Sequence, residues 1–380
     1  MRKLATTLAA AAGRALAGLA QPAQATPTTG QFQQEVTYID DGASAAGRVG
    51  FVALLAVALA AVAALPVGAA LPAGAAVSGT NGQIAFARQL PGGGANIFIA
   101  NPDGQHTQQV PLVYPAENFG IPRWSPDGSQ LLISNVFRFD TSGNLLPFRP
   151  ATVGLDGGNF NLLQPPGAPF DMACFGGWYP DATRLLCGYG EGPPGVFSIR
   201  ASDGGDPARL TTYPFGTNCN TCDEATDVSP DGSRFVFLRF RRENAANFRE
   251  EQVALFVENI DGTGLQQITP YGLAAPHEAA SARWSPDGKE IISETTQGRL
   301  FVVRPDGSGL SMIPLDTGTT RYFAFEPAFS PDSTKIVFCM FINGQEDIYT
   351  ANADGSGVRQ VTNTPDFKNG PDWGTHPLAR

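Results

Sequence analysis

A five-residue block recurs along this chain at nearly even intervals. It reads Trp124-Ser-Pro-Asp-Gly128, then Trp178-Tyr-Pro-Asp-Ala182, Val228-Ser-Pro-Asp-Gly232, Trp284-Ser-Pro-Asp-Gly288 and Phe329-Ser-Pro-Asp-Ser333, and a partial sixth copy begins at Trp373. The steps between first residues are 54, 50, 56, 45 and 44, and all four Trp fall on this one offset. A period in this range means that one supersecondary unit is stacked on copies of itself, because a single unit cannot bury its apolar faces alone. The 44 Gly and 31 Pro among 380 residues agree, since they put chain reversals everywhere. A helical bundle or coiled coil is excluded.

After each complete block comes a short apolar run: Leu131 to Ile133, Leu185 to Cys187, Phe235 to Phe237, Ile291 to Ile292 and Ile336 to Phe338. Runs of this length bounded by turn residues are strand signals. A further strand ends in Asp-Gly at Asp103-Gly104, Asp156-Gly157, Asp203-Gly204, Asp261-Gly262, Asp306-Gly307 and Asp354-Gly355. Glycine accepts the positive φ of a tight reversal, so Asp-Gly between apolar runs predicts a hairpin turn. A last strand, as in Leu210-Thr211, Ile268-Thr269 and Val361-Thr362, completes the unit. Four-stranded units repeated in this way predict an all-β fold, a β-propeller. The sequence holds six Asp-Gly turns but only five complete Pro-Asp turns. The first unit, from Gly82 to Gly104, lacks its innermost strand, and the segment around Trp373 supplies one. The expectation is therefore a six-bladed ring of four antiparallel strands per blade, closed by a C-terminal strand that completes the N-terminal blade and leaves no bare sheet edge.

The quoted blocks resemble the TolB-type propeller repeat, in which a Pro-x-Trp-Ser-Pro-Asp-Gly-Lys stretch leads into a strand and a later Asp-x-Asp-Gly-Ser-Gly turn ends the next. The resemblance covers roughly residues 80 to 375, with Arg123 to Ile292 and Pro305 to Gly309 as its best examples. Departures are Tyr179 for Ser, Val228 and Phe329 for Trp, and Ala182 and Ser333 for Gly. The likeness is to the repeat alone, because nothing between residues 26 and 79 is patterned to build the N-terminal α/β domain of TolB. It implies a non-catalytic envelope scaffold.

Residues 79–380 read as one propeller domain and residues 1–78 as an export region. Met1-Arg2-Lys3, an Ala/Leu-rich run and Ala23-Gln24-Ala25 make a candidate signal peptide over 1–25, followed by a linker over 26–48. The stretch 49–76 is an apolar signal or anchor segment whose core, Phe51 to Leu65, has no polar side chain. Those 15 residues suit a signal peptide better than the roughly 20 that span a bilayer, although the weakly apolar continuation extends them. The body is thus expected to be exported, periplasmic or extracellular, touching a membrane only through 49–76. Lys plus Arg is 25 against 35 Asp plus Glu, a net charge of -10. Without a basic stripe, nucleic acid is not an expected partner.

Counting back seven residues from the Trp-type position reaches Glu117, Asp171, Thr221, His277, Tyr322 and Asp366, with Asp223, Glu224 and Glu278 close by. Equivalent positions in a closed ring face one another, so these residues form a candidate acidic rim at the channel mouth. Its expected ligand is a cationic group, a divalent cation or a basic peptide segment. Two long connections, Phe137 to Pro150 and Phe240 to Gln252, lie at the same end and offer Arg138, Arg149, Arg241, Arg242 and Arg249 as binding residues. Cys174 and Cys187 flank the Trp178 hairpin almost symmetrically, and Cys219 and Cys222 are adjacent, so either pair is a disulfide candidate that leaves Cys339 free.

No calcium loop, zinc set or Gly-x-Ser-x-Gly elbow occurs, and no cofactor is expected. The leading expectation is a monomeric, non-catalytic scaffold that binds an envelope protein, a peptide or a small ligand at the channel mouth. The alternative is a propeller enzyme, a metal-assisted lyase or hydrolase acting on a carbohydrate or small molecule at that mouth.

Overall fold

Each Ser-Pro-Asp-Gly block is a reversal organised around one hydroxyl. In the second blade Ser125 Oγ donates to Asp127 Oδ1 at 2.7 Å and accepts the N–H of Gln130 at 3.1 Å, while Asp127 accepts the N–H of Ser129. The same three bonds recur around Ser229, Ser285 and Ser330. Hydrogen bonding to the ionised form holds the Asp127, Asp231, Asp287 and Asp332 carboxyls below their usual range, despite some burial. Glycine at the end of the block takes a left-handed φ, 69° at Gly128 and 73° at Gly288. Such a turn needs its hydroxyl, its carboxylate and its glycine at fixed offsets, which is why the block is so legible.

The computed structural model describes residues 79–379, apart from 91–93, 113–117, 165–170, 192–194, 212–220, 243–250, 276–281 and 320. The export region 1–78 lies outside the described residues. Blade 1 is formed by β1 (Ile84–Gln89), β2 (Ala95–Ala100) and β3 (Gln108–Gln109), with an inner strand from the far end of the chain. Blade 2 has a split inner strand, β4 (Asn118–Phe119) and β5 (Pro122–Trp124), then β6 (Gln130–Phe139), β7 (Leu145–Gly154) and β8 (Asn161–Leu162). Blade 3 comprises β9 (Asp171–Ala173), β10 (Arg184–Glu191), β11 (Val196–Arg200) and β12 (Ala208–Arg209). Blade 4 comprises β13 (Thr221–Val228), β14 (Arg234–Arg242), β15 (Glu251–Asn259) and β16 (Gln266–Gln267). Blade 5 comprises β17 (Arg283–Trp284), β18 (Ile291–Glu294), β19 (Leu300–Val303) and β20 (Ser311–Met312). Blade 6 comprises β21 (Tyr322–Phe329), β22 (Lys335–Ile342), β23 (Gln345–Asn352) and β24 (Arg359–Gln360). The closing strand β25 (Lys368–Trp373) pairs antiparallel with β1, Ile84 opposite Trp373 and Arg88 opposite Lys368.

Why the apolar runs are unbroken follows from the stacking. A blade is covered on both faces, so successive residues of its middle strands point into opposite seams and all must be apolar. Ile84 and Phe86 pack towards blade 6, whereas Ala85 and Ala87 pack towards blade 2. Ile291 and Ile292 divide in the same way between blades 4 and 6. Each neighbouring pair of blades shares one such apolar cluster, including blades 6 and 1, so the ring is continuous. The outermost strands are two residues long, exposed in five blades and half-buried at β8 of blade 2, a length too short to template further pairing.

Two blocks lack the glycine yet keep the turn. Ala182 holds φ 58° and Ser333 holds φ 60°. Ser333 recovers part of the cost by accepting the N–H of Asp287 through Oγ at 3.1 Å. Ala182 has no side-chain bond to offset its strain, which costs about 1–2 kcal/mol for an L residue. Replacing Ala182 by Gly is therefore expected to raise stability by about 1 kcal/mol, less what glycine adds to unfolded-chain entropy, in chemical denaturation. An unchanged or lower midpoint would contradict this reading of the turn.

Candidate functional site

The residue just before the Trp-type position of each block occupies the same place on the innermost segment of its blade. In blade order these residues are Asp372, Arg123, Gly177, Asp227, Arg283 and Ala328. The order acid, arginine, small residue occurs twice, which gives the ring a two-fold pattern. Arg283 Nη2 donates to Asp372 Oδ1 at 2.6 Å, and its Nε lies 3.4 Å from Asp227. Arg123 Nη2 donates to the Phe175 carbonyl at 2.6 Å and to the Thr226 carbonyl at 3.3 Å, and its Nη1 is 3.8 Å from Asp372. Two of these links, Arg283 to Asp372 and Arg123 to Thr226, run between non-adjacent blades and so cross the middle of the ring. A Cβ placed on Gly177 would sit 3.7 Å from the Arg123 Cγ.

Each aspartate is also fixed to the next blade. Asp372 Oδ2 accepts the N–H of Trp124 at 2.7 Å, and Asp227 Oδ2 accepts that of Trp284 at 2.8 Å. Burial, reinforced by repulsion from Asp372, pushes the Asp227 carboxyl well above the usual range, against the pull of the Trp284 N–H. Burial likewise lowers the Arg283 guanidinium, and Asp372 opposes it. The four charged side chains form a plug across the axis.

The end opposite the Ser-Pro-Asp-Gly turns gathers the starts of the inner strands and the tips of the central hairpins, as the pairs Asn118 with Phe137, Thr221 with Arg241 and Tyr322 with Ile342 show. Here the rim residues are less free than the sequence suggests. Asp171 Oδ1 accepts the N–H of Phe148 at 3.0 Å. Asp366 is paired with Arg88. Asp223 is buried in a two-pronged pair with Arg239, at 2.6 and 2.8 Å, and Arg239 is itself sandwiched between the Phe237 and Phe256 rings. The Phe237 and Phe256 rings that hold Arg239 lie in the seam of blades 3 and 4, and Glu224 follows Asp223 on β13. Tyr322 carries the Arg299 guanidinium 4.0 Å from its ring centroid. Glu117, His277, Glu278 and Arg249 lie outside the described residues.

The first long connection proves to be largely strand: β6 and β7 continue to Phe139 and Leu145, so only residues 140–144 turn. In the second, β14 continues to Arg242 and β15 begins at Glu251, and residues 243–250 lie outside the described residues. Arg138 donates to the Pro147 carbonyl at 3.1 Å and Arg149 to the Phe148 carbonyl at 2.8 Å, both within that hairpin. Arg241 stacks 4.5 Å above Tyr271, and Arg242 ends β14. Apolar groups stand out to solvent at this end: Phe139 is 39% exposed, Leu145 48% and Phe367 52%. Cys174 and Cys187 are bridged, Cys222 is disulfide-bonded, Cys219 lies outside the described residues, and Cys339 is a buried free thiol. Among the described residues no group of three His, Cys, Asp or Glu is suited to a metal ion.

The plug was invisible to a count aimed at the strand starts. Its signal is the single position before each Trp-type residue, and the pattern emerges only when the six residues are laid on the ring. Removing one arm should expose its cost: Arg283→Met leaves Asp227 without its counterion and Asp372 with only the more distant Arg123, and is expected to lose about 3 kcal/mol in chemical denaturation. A loss below about 1 kcal/mol would show that the plug is solvated rather than buried.

No protein-family model matches the chain. A curated relative, the Tol-Pal system protein TolB of Anaeromyxobacter dehalogenans (strain 2CP-C), is 32% identical over 120 residues, which is 31% of this chain and 26% of that protein. The match therefore spans about a quarter of the relative's length. Among solved structures, TolB from Acinetobacter baumannii superposes with a TM-score of 0.55 at 17% identity, over 77% of this chain and 66% of that one. A putative TolB from Agrobacterium tumefaciens gives 0.52 at 19% identity, over 79% and 94%. At these identities the structures establish the fold, while the recurring Trp-Ser-Pro-Asp-Gly blocks and the curated match carry the likeness in sequence. The chain is a TolB-like six-bladed β-propeller.

Proposed function

We propose that this propeller is an exported, non-catalytic scaffold of the cell envelope that binds a protein or peptide at the end of the ring opposite the Ser-Pro-Asp-Gly turns. The observation that carries the reading is the combination of an ion-paired axis with exposed apolar groups at that end. The Arg/Asp ion pairs cross the axis of the ring, while Phe139, Leu145 and Phe367 present apolar surface beside paired charges. Aromatic anchors rimmed by polar groups suit a protein partner better than a small polar molecule. Rigid strands support this surface, so little ordering cost would be spent on binding. The name of the curated relatives supports a component of a Tol-Pal type system as the partner class. Export rests on the apolar segments of residues 1–78.

Position-specific crosslinking tests the reading. A photoreactive residue placed at Phe139 or Phe367 in the exported protein is expected to capture one defined envelope protein, and the same residue at Met312, on an outer strand, is not. Equal capture from all three positions, or none from the first two, would refute a partner face at this end.

A further inference from the structure

The strand that closes the ring is gripped from blade 6 by carboxyl groups. Glu326 Oε2 accepts the N–H of Gly370 at 2.6 Å, and Glu346 Oε1 accepts the N–H of Lys368 at 3.2 Å. Both donors belong to β25. Cys339 Sγ also reaches this seam, 3.4 Å from the Lys368 carbonyl and 3.7 Å from Glu326. Glu294, on β18 of blade 5, is fully buried; its carboxyl oxygens have no well-aligned hydrogen-bond partner among the described residues, and the backbone N–H groups of Glu326 and of Glu294 itself only partly offset the cost of burial. It lies close enough to Glu326 for the two charges to repel.

The charge balance of this seam is one-sided. Blade 5 contributes Glu294, while blade 6 contributes Glu326 from β21, Cys339 from β22, and Glu346 and Asp347 from β23. The cation is Lys368 of β25, whose Nζ is bonded to Asp347 at 2.8 Å and to the carbonyls of Glu346 and Thr364. Arg88, on β1, is engaged with Asp366. A wholly buried carboxylate this poorly partnered is too costly to keep ionised, so Glu294 holds a proton, and its neighbours Glu326 and Glu346, which accept one backbone N–H each, share the same acidic seam. Glu326 occupies its place against a backbone preference. Its φ is 51°, a conformation that favours glycine, and the equivalent position of β25 is Gly370, with φ 59°. Strained non-glycine residues of this kind concentrate where a structure switches or binds.

We propose that the seam between blade 6 and β25 is a pH-controlled latch: while the Glu294, Glu326 and Glu346 cluster carries protons it holds the C-terminal strand in the ring, and ionisation of the cluster loosens that strand. Burial raises the carboxyls of Glu326 and Glu346 to about 7, with repulsion adding to it, and raises Glu294 well above the usual range. The sign follows from proton linkage. Carboxyls raised in the folded state bind more protons there than in the unfolded chain, so their contribution is complete below about pH 4.5 and is lost as pH climbs to about 7. Each step of ionisation adds negative charge to a seam with one committed lysine.

The Cys339 thiol is a local reporter, because it is buried in this seam and free. Its reaction rate with a small thiol reagent is compared between the wild-type protein and Glu294→Gln or Glu326→Gln at each pH, which cancels the reagent's own pH dependence. The ratio of wild type to variant is expected to rise at least about tenfold between about pH 6 and about pH 8.5. Ionised neighbours raise the Cys339 thiol and would by themselves slow it, so acceleration reports opening. A ratio that stays flat would overturn the latch. Should the variants fail to fold, infrared spectra of the wild-type protein decide: the carbonyl stretch of a protonated carboxyl must fall across this range as Cys339 labelling rises, and a constant band overturns the proposal.

Discussion

Every blade of this ring is apolar on both faces, so the structure depends on the one junction that chain connectivity does not supply, that between β25 and blade 1. This short strand completes the sheet begun by β1, fills the seam with blade 6 through Trp373, and donates Asp372 to the axial plug. The same strand offers the two N–H groups that Glu326 and Glu346 accept. Three otherwise separate features, the closed sheet, the ion-paired axis and the carboxyl seam, therefore share six residues near the C-terminus. A propeller closed in this way couples its core to its chain end, since opening one seam strands apolar surface on both of its neighbours.

The plug and the rim divide the ring's polar chemistry into two kinds. On the axis, charge is balanced by charge at short distance, and the aspartates are anchored further by the N–H groups of Trp124 and Trp284. At the mouth, Asp171, Asp223 and Asp366 are engaged with neighbours in the same molecule. Among the described residues, the mouth presents a mixture of apolar tips and paired charges. Apolar tips beside paired charges are the composition by which protein surfaces are recognised through shape and burial rather than through a bare charge.

The fold was legible because its turns are chemically demanding. A hydroxyl at Ser125, a carboxylate at Asp127 and a left-handed glycine at Gly128 must fall at fixed offsets, and repetition of that demand exposes the period, the blade count and the missing inner strand. The site was far less legible, for reasons that lie in long-range pairing. Nothing near Asp366 reveals Arg88, which is 278 residues away, and the alternation around Asp223 does not reveal that Arg239 is its direct partner across the strand pair. Glu294 follows Ile291-Ile292-Ser293 and reads as the polar end of a strand, yet it is wholly buried. The two-fold order of Asp372, Arg123 and Gly177 with Asp227, Arg283 and Ala328 exists only on the closed ring, so a linear reading passes over it.

The account rests on β25 as the element that closes the ring, and thermal unfolding of a chain ending at Asn363 tests that most directly. Without its last residues the chain loses the inner strand of blade 1, Asp372 and both donors to the carboxyl seam. It should show no cooperative transition, or one far below that of the full chain. A truncated chain that melts cooperatively at the full-length temperature would contradict the account.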